Sequence, residues 1–246
     1  MRKSLTGLSF AAVCCLLAAV FAQGQDFHKS YAISSNGHIS IRNVSGDVKV
    51  AGYNGDSVVV DAFKVGRDRD LVKVEDSSTG DRIELRVQYP ESGNCDAGVN
   101  FQVLVPSQVE YNFDRLASVS GNVEVMGIRG RLHVESVSGN VGVTNVAGIV
   151  SASSVSGNVE AQVSSPEGLG DMKFSSVSGN VDVRAPLNLN ADIEMSSVSG
   201  SLHTDFPISI EEREYGPGHS ARGRIGSGTN GLRVTTVSGR VSLTRI

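Results

Sequence analysis

Three ionisable residues, Glu160, Asp182 and His203, recur at one position of a repeated sequence pattern. Each of them lies five residues after the valine of a Val-Ser-Gly triplet. If copies of the pattern stack as neighbouring β-strands, the two carboxylates lie roughly 5 Å apart, which is the separation that retaining glycosidases use. The alternative is a solvated surface column, screened by Arg184 and Asp205 beside it. We favour the surface column, and therefore predict no catalytic residues and no enzymatic activity.

Other patterns that carry chemistry are missing from the sequence. There is no metal-ligand cysteine spacing, phosphate-binding loop or nucleophile elbow, and His133 falls on the other half of the repeat. Calcium-binding β-rolls need a regular aspartate and paired glycines in each unit, whereas the position that Glu160 occupies varies freely here. The sequence therefore predicts neither a metal site nor a cofactor.

The element that would position these residues is a nine-residue repeat. Its units have an apolar residue at position 1, glycine at position 3 and apolar residues at positions 5 and 7, as in 119–125, 128–134 and 137–143. The Val-Ser-Gly form of the unit begins at Val44, Val119, Val137, Val155, Val177, Val198 and Val237. Between 119 and 155 this form alternates with a weaker form of the unit, so two units make one longer repeat. Periodicity of this kind is typical of a solenoid.

The repeat predicts an all-β fold, a single-stranded parallel β-helix (a β-solenoid) with about 18 residues per coil built from nine-residue half-repeats. Positions 5 and 7 alternate with polar residues, which is the pattern of a strand with one buried face. The residues expected in the core include Val123, Leu132, Val141, Val150 and Val159. Those expected at the surface include Glu124, His133 and Glu160. Glycine at position 3 followed by asparagine at position 4 indicates a turn, because both residues tolerate positive φ.

Polar residues also recur in register. Position 4 of the Val-Ser-Gly units predicts a ladder of stacked side chains, Asn122, Asn140, Asn158 and Asn180. Position 9 of the preceding unit is serine or threonine in the array that follows residue 113. Identical small polar residues stacked at strand spacing can hydrogen-bond along the axis. We favour this structural role over a hydroxyl-rich recognition face, because buried polar groups must be paired.

Three insertions, 164–167, 186–188 and 207–227, interrupt the period at the same phase, after a Val-Ser-Gly unit. Insertions confined to one phase project as loops from one edge of a stacked array. The longest, 207–227, is expected to be a long loop, and loops on rigid scaffolds often carry recognition. The candidate binding residues in it are Glu211, Arg213, Tyr215, His219, Arg222 and Arg224. The alternative is a solvated spacer without a binding role.

The 246 residues are expected to divide into a signal peptide, 1–22, an N-terminal segment, 23–34, and the solenoid, 35–246. Arg2 and Lys3 precede an apolar run that is too short for a membrane span, which is typical of an export signal; an uncleaved anchor is the alternative. Residues 63–113 break the period, and irregular coils or a side sheet are expected there. The protein should therefore be exported, to the periplasm, the cell surface or the medium, with no transmembrane segment in the mature chain.

The charge of the chain bears on which partners it can bind, and its cysteine content bears on what stabilises its fold. Without Arg2 and Lys3 the net charge of −4 becomes −6, which argues against nucleic acid as a partner. After removal of the signal only Cys95 remains. An internal disulfide is therefore not expected, and burial with hydrogen bonding must hold the fold.

The chain resembles the bacterial family named putative adhesins, which are β-strand-repeat proteins. The resemblance rests on the repeated Ser-Val-Ser-Gly-Asn-Val, on the strand 103–106 that reads Val-Leu-Val-Pro, and on the closing stretch 236–243. It covers nearly all of the mature chain. It implies an exported single-stranded β-helix and offers no catalytic residues.

The predicted function is that of a non-catalytic, adhesin-like binding protein of the cell envelope or the medium, with an unknown surface protein or glycan as its partner. One alternative is a structural element that self-associates, because solenoid ends expose unpaired strand edges. Another is a carbohydrate-active enzyme that uses Glu160, Asp182 and His203. Ice or crystal-surface binding by the serine columns is disfavoured, since the flat threonine arrays expected for it are missing.

Overall fold

The structure, a computed structural model, describes residues 26–91, 94–163, 170–212 and 218–246. The signal peptide expected over 1–22 and the insertion 164–167 lie outside these residues. The first eleven strands are β1 Phe27–Tyr31, β2 His38–Arg42, β3 Val48–Tyr53, β4 Val58–Gly66, β5 Lys73–Asp76, β6 Arg82–Gln88, β7 Ala97–Pro106, β8 Glu110–Ser118, β9 Val123–Met126, β10 Arg129–Ser136 and β11 Val141–Thr144. The remaining strands are β12 Ala147–Ser154, β13 Val159–Gln162, β14 Met172–Ser176, β15 Val181–Ala185, β16 Ala191–Ser197, β17 Leu202–Thr204, β18 Ser209–Glu212, β19 His219–Ile225, β20 Asn230–Thr236 and β21 Val241–Arg245. A turn of 3-10 helix, Arg69–Leu71, lies between β4 and β5.

The strands form two sheets that are mostly parallel. The first sheet has the order β1-β4-β7-β3-β9-β11-β13-β15-β21-β17, and the second has the order β18-β19-β16-β20-β14-β12-β10-β8-β2-β6-β5. From β8 to β17, successive strands of the chain alternate between the second sheet and the first. The protein is therefore an all-β, solenoid-like array whose core lies between two parallel-rich sheets.

The nine-residue pattern sets the register of the array. Val141 on β11 pairs with Val123 and with Val159, and Leu132 on β10 pairs with Val150. All five of these side chains are buried, with at most 3% exposed, so the prediction of core positions is confirmed. Their valine and leucine side chains stack into continuous apolar columns, which no single four-residue strand could bury alone.

The stack does not follow the order of the chain at its two ends. Near the start, β2 lies between β6 and β8, and β3 lies between β7 and β9. Near the end, β20 lies between β14 and β16, and β21 lies between β15 and β17. Residues 63–113, expected as irregular coils or a side sheet, supply β6, β7 and β8 as parallel array strands, while β4 and β5 pair antiparallel at the end of the stack.

Residues 207–227 differ from the long loop expected there. They contain the antiparallel strands β18 and β19, and β19 pairs with β16 along its whole length, from Ala191 opposite Ile225 to Ser197 opposite His219. Charged and glycine-rich composition suggested a loop, but Ala221 points inward and is buried. The pairing satisfies the backbone groups of β16, which otherwise would form an open sheet edge.

The glycine of each Val-Ser-Gly unit is required by close stacking. Positive φ occurs at this position in the weaker units, at Gly130 and Gly148, but not at Gly139, at Gly121 and Gly157 stacked on either side of it, or at Asn140. A Cβ atom on Gly139 would collide with the carbonyl oxygen of Gly121 in the coil below. Glycine therefore stands here because two backbones approach closely.

The valines at position 1 of these units form an exposed column, unlike positions 5 and 7. Each is between 41% and 48% exposed, and the column comprises Val44, Val119, Val137, Val155, Val177, Val198 and Val237. In the other half-repeat the same position is buried, at Ile128 and Val146. One corner of the array is thus closed by apolar side chains that point inward, and the other presents its valines to solvent.

Candidate functional site

The acidic pair on the first sheet forms as the repeat predicts, but the histidine is not part of it. Glu160 on β13 lies in register with Asp182 on β15. Asp182 pairs in turn with Ser242 on β21, and Ser242 is the neighbour of His203 on β17. The column of Glu160, Asp182 and His203 is therefore interrupted, because the last strand of the chain inserts between two copies that are consecutive in the sequence.

Acidic and basic side chains interleave around this pair. The guanidinium of Arg240 lies 3.7 Å from the carboxylate of Asp182, and the ring of His203 lies 3.5 Å from the carboxylate of Asp205. A shallow cavity of about 380 Å³ over the pair is lined by Arg184 as well as Arg240. Mixed charges on an exposed face screen one another, which is the arrangement of a solvated surface column.

The asparagine column is a ladder of hydrogen bonds between coils. The backbone N–H of Asn140 donates to the side-chain oxygen of Asn122 at 2.9 Å, and that of Asn158 donates to Asn140 at 2.9 Å. The ladder continues through Asn180, whose backbone N–H donates to Asn158 at 3.0 Å. Asp47 takes the same place in the neighbouring layer of the stack, since its carboxylate accepts from the N–H of Asn122 at 2.9 Å. These side chains satisfy turn N–H groups along the array.

The serine column at position 9 is buried and fully engaged. Ser136 donates its hydroxyl to the carbonyl oxygen of Gly121, and Ser154 donates to that of Gly139, each at 2.8 Å. Both serines are less than 5% exposed. Among the described residues, no buried side-chain nitrogen or oxygen lacks a hydrogen-bond partner. This column therefore holds adjacent coils together and presents no hydroxyl to a ligand.

The candidate residues of 207–227 are divided by the hairpin of β18 and β19. Arg222 and Arg224 lie on the outer face of β19, on either side of Gly223. His219 begins β19 opposite Ser197, and the backbone of Glu211 lies opposite Ser220. Arg213 and Tyr215 lie outside the described residues. The hairpin therefore brings two of the six candidates to one surface.

That surface is an open groove of about 900 Å³ on the outer face of the second sheet. Its floor crosses β12, β14, β20 and β16, and β19 borders it. Gly231 on β20 has no side chain to fill the row that it shares with Asp192 on β16 and Arg224 on β19, which leaves the depression open. Ligand sites in proteins enclose roughly 300–1,000 Å³, so the groove has the volume of a binding site.

The carboxylates of the groove are held by its own cations and backbone. Arg224 donates to Asp192 at 2.6 Å, and this hydrogen bond lowers the pKa of the aspartate. Glu194 lies 3.1 Å from Arg222 and 2.7 Å from Arg233, so one carboxylate serves two guanidinium groups. The groove is lined by three carboxylates, Asp171, Asp192 and Glu194, and four cations, Lys173, Arg222, Arg224 and Arg233. Cations are therefore in excess.

Reasoning from the sequence missed Lys173 and Arg233 as neighbours. Both occupy position 6 of their units, between buried residues at positions 5 and 7. The alternation of the strand therefore predicts that both side chains point outward. In chain order Glu194 stands between them, whereas in the sheet Lys173 pairs directly with Arg233. The insertion of β20 beside β14 creates this pair, and the repeat carries no signal of it.

Within the described residues, no group of three or more His, Cys, Asp or Glu side chains is placed to hold a metal ion. None of the described segments forms a helix with the length and hydropathy needed to cross a bilayer.

Comparison with known proteins gives a family and a fold. Residues 29–244 match the family described as Toastrack DUF4097. The crystal structure of a putative cell adhesion protein from Clostridium sporogenes is similar over 89% of this chain and 99% of that chain, with a TM-score of 0.53 and 10% sequence identity. A putative adhesin from Bacteroides fragilis is 14% identical over 89% of this chain and 96% of that chain, with a TM-score of 0.36. No curated protein matches the sequence.

Proposed function

The chain belongs to the Toastrack DUF4097 family, and from this premise and the groove on its second sheet we propose that it is a non-catalytic, adhesin-like binding protein. The groove carries the proposal, because it combines the volume of a ligand site with an excess of cations over carboxylates on a rigid sheet. The name of the similar Clostridium protein, a putative cell adhesion protein, accords with a binding role.

The place of action that we propose is outside the cytoplasm, in the periplasm, at the cell surface or in the medium. The N-terminal segment supports this, since Arg2 and Lys3 precede an apolar run of signal-peptide length. Mass spectrometry of the protein from its native host should find an N-terminus near Gln23 or Gln25. An intact N-terminus on a cytoplasmic protein would refute the proposed location.

The scaffold that we propose for this role is a single-stranded parallel β-helix with two nine-residue half-repeats in each coil. Its support is the register in the middle of the array, where β11 pairs with β9 and with β13, each of them one full repeat away in the sequence. A stack of this kind is stiff along its axis, so that side chains on its outer faces keep fixed spacings. Fixed spacings favour recognition of a repetitive or extended ligand.

The groove can be tested as the binding site by filling it. The full chain, processed by its host, would be incubated with envelope fractions and an immobilised panel of glycans. Gly231→Tyr places a large side chain in the groove, where a Cβ atom requires only a small shift of the Asp171 side chain, whose Oδ1 lies 3.3 Å away. Gly142→Tyr is the matched control on the outer face of the first sheet, where the nearest atom is Glu124 Cγ at 3.8 Å.

We expect Gly231→Tyr to lose binding and Gly142→Tyr to keep it. Loss only in Gly142→Tyr would move the site to the first sheet and refute the groove. Binding that survives both substitutions would also refute it. If the unaltered protein captures nothing from envelope fractions or glycans, the proposed binding function itself is wrong.

A further inference from the structure

The groove on the second sheet places two cations in direct register without a carboxylate between them. Lys173 on β14 pairs with Arg233 on β20, and adjacent strands lie about 4.8 Å apart. Like charges directly opposite each other destabilise a sheet. The ion pairs of this face do not neutralise these two positive charges. Glu194 is shared by Arg233 and Arg222, and Lys173 forms no ion pair within the described part of the chain.

The other carboxylates of the groove are committed elsewhere. Asp192 is bound to Arg224 through two hydrogen bonds, at 2.6 and 3.1 Å. Asp171 accepts the backbone N–H of Gly231 at 2.7 Å. The row of Lys173, Arg233, Glu194 and Arg222 therefore holds three cations and one carboxylate on four neighbouring strands. An anionic group seated at Lys173 and Arg233 would supply the missing charge.

A row of hydroxyl groups runs parallel to the cations, two residues further along the same strands. It consists of Ser153, Ser175, Thr235, Ser196 and Ser220, which are successive partners across five strands. All five are partly exposed. None of their hydroxyls forms a hydrogen bond within residues 26–91, 94–163, 170–212 and 218–246. Each can donate and accept, as sugar hydroxyls do, and their spacing follows the strand spacing of about 4.8 Å.

The floor of the groove distinguishes a saccharide from a peptide. β14, β20 and β16 are interior strands whose backbone groups pair with neighbours on both sides. An extended peptide is usually recognised by main-chain hydrogen bonds at a free sheet edge, and this floor offers none. A chain of sugars needs no backbone partner, because its hydroxyl and acid groups can be met by side chains.

We propose that the groove binds an acidic polysaccharide, with carboxylate or sulfate groups on Lys173 and Arg233 and sugar hydroxyls on the Ser153 to Ser220 row. The inference rests on the proposed binding function and names the ligand class for the same site. Arg233 supplies a planar guanidinium suited to a carboxylate, and Lys173 a compact charge that its neighbours do not neutralise. The polymer would lie across the strands, along the axis of the array.

The test uses three probes on the full, host-processed chain: polygalacturonate, its methyl ester and dextran sulfate. The methyl ester keeps the hydroxyls and removes the charge, and dextran sulfate replaces the carboxylate by sulfate. We expect both charged polymers to bind and the ester to bind at least tenfold more weakly, with affinity that falls as salt rises. The variant Lys173→Gln/Arg233→Gln should lose tenfold or more for the charged polymers.

The control is Lys49→Gln/Arg67→Gln, which removes the same charge from exposed ion pairs elsewhere on the protein. It should keep the affinity of the parent. Equal losses in both double variants would mean unspecific attraction and would overturn the site. Equal binding of the ester and the acid would overturn the acidic ligand while leaving a groove for neutral glycans. Capture of other envelope components, but of neither charged polymer, would overturn the inference and leave the proposed binding function standing.

A second readout separates a binding role from a structural one. Removing a charge from a like-charged pair should not lower stability, so Lys173→Gln should have a Tm equal to or above that of the parent. A variant that binds less and melts no lower supports the ligand site. A lower Tm in Lys173→Gln would show that the lysine stabilises the sheet and would overturn the argument from uncompensated charge.

Discussion

Val181 lies in register with Val241 in the first sheet, although the strands β16 to β20 all lie between them in the sequence. The next copy of the repeat after Val181 offers Leu202 at the same position, and Leu202 is found on the far side of Val241. The end of the chain is therefore an interior layer of the array. The segment that precedes it forms the outer layer, which β19 then covers in the second sheet.

The order of these layers predicts which apolar position tolerates a charge. Val241 is fully buried between two strands, whereas Leu202 is half-buried on the edge strand β17. We expect Val241→Asp to lower the free energy of unfolding by about 3–5 kcal/mol, as Val141→Asp should, because an unpaired buried charge is costly. Leu202→Asp should cost less than half as much. Urea unfolding measures both, and a larger loss at Leu202 would contradict the layer order.

The close approach of coils at Gly139 predicts a large effect from one methyl group. In Gly139→Ala the Cβ atom meets the carbonyl oxygen of Gly121, and the backbone must shift, at about 1–3 kcal/mol. Gly142→Ala is the control three residues later, where the new Cβ atom would lie 3.8 Å from its nearest neighbour, Glu124 Cγ. It should leave the free energy of unfolding unchanged or slightly higher. Equal effects of the two substitutions would refute the stacking argument.

The sequence predicted the middle of the array well because its period is local information. Val141 is buried for the same reason that Val123 and Val159 are, and each can be counted from the nearest Val-Ser-Gly triplet. The position of Val241 between Val181 and Leu202 cannot be counted in this way, since every copy offers the same apolar surface to every other. The order of the layers depends on which strands lie at the two ends of the stack, and this is decided by contacts along the whole chain.

The candidate site shows the same limit. The outward positions of Arg222 and Lys173 follow from the alternation of their strands, but composition alone suggested that Arg222 lies in a loop. The groove depends on β19 pairing with β16 and on Gly231 leaving a row unfilled. β19 lies in an insertion that carries no copy of the nine-residue unit, and the apolar positions beside Gly231 keep the ordinary pattern, so the period could not reveal the groove.

The asparagine ladder predicts that the stability of the fold depends on the acceptor oxygen of each side chain rather than on its amide group. Asn140→Leu removes the acceptor for the backbone N–H of Asn158 and should cost about 1 kcal/mol. Asn140→Asp keeps an acceptor, as Asp47 does naturally in the same column, and should cost less. Thermal unfolding of the two variants beside the parent measures the difference. Equal destabilisation by Leu and Asp would show that the ladder contributes nothing beyond the shape of the side chain.

The carboxylate of Asp76 links the first and second sheets at one end of the stack and should make the stability of the fold depend on pH. It accepts from Lys29 at 2.5 Å and from Tyr31 at 3.0 Å. Burial raises the pKa of Asp76, but hydrogen bonds from Lys29, Ser78 and Tyr31 outweigh it and lower the pKa from 3.8 to about 2. A folded-state pKa below the unfolded one stabilises the fold above pH 3.8, and this stability is lost as the pH falls towards 2.

Asp76→Asn removes that dependence on pH. We expect the variant to be less stable than the parent at neutral pH, with a difference in Tm that shrinks as the pH falls through this window. Asp56→Asn on the surface is the control for the general effect of losing a carboxylate. Melting curves from pH 7 to pH 2 measure the effect, and a constant difference between Asp76→Asn and the parent would rule out the linkage.

The hairpin of β18 and β19 predicts what happens when the outer layer is uncovered. Deletion of 207–227 with Phe206 joined to Gly228 leaves β16 paired with β20, so the array should still fold and keep its β circular dichroism. The edge of β16 that β19 covered becomes free, and a free edge pairs with other chains. Sedimentation velocity should therefore show association that grows with concentration. Adding Ser196→Lys to the deletion places a charge on that edge and should restore the monomer. A deletion variant that stays monomeric at every concentration would contradict this role of the hairpin. A deletion variant that does not fold would contradict it as well.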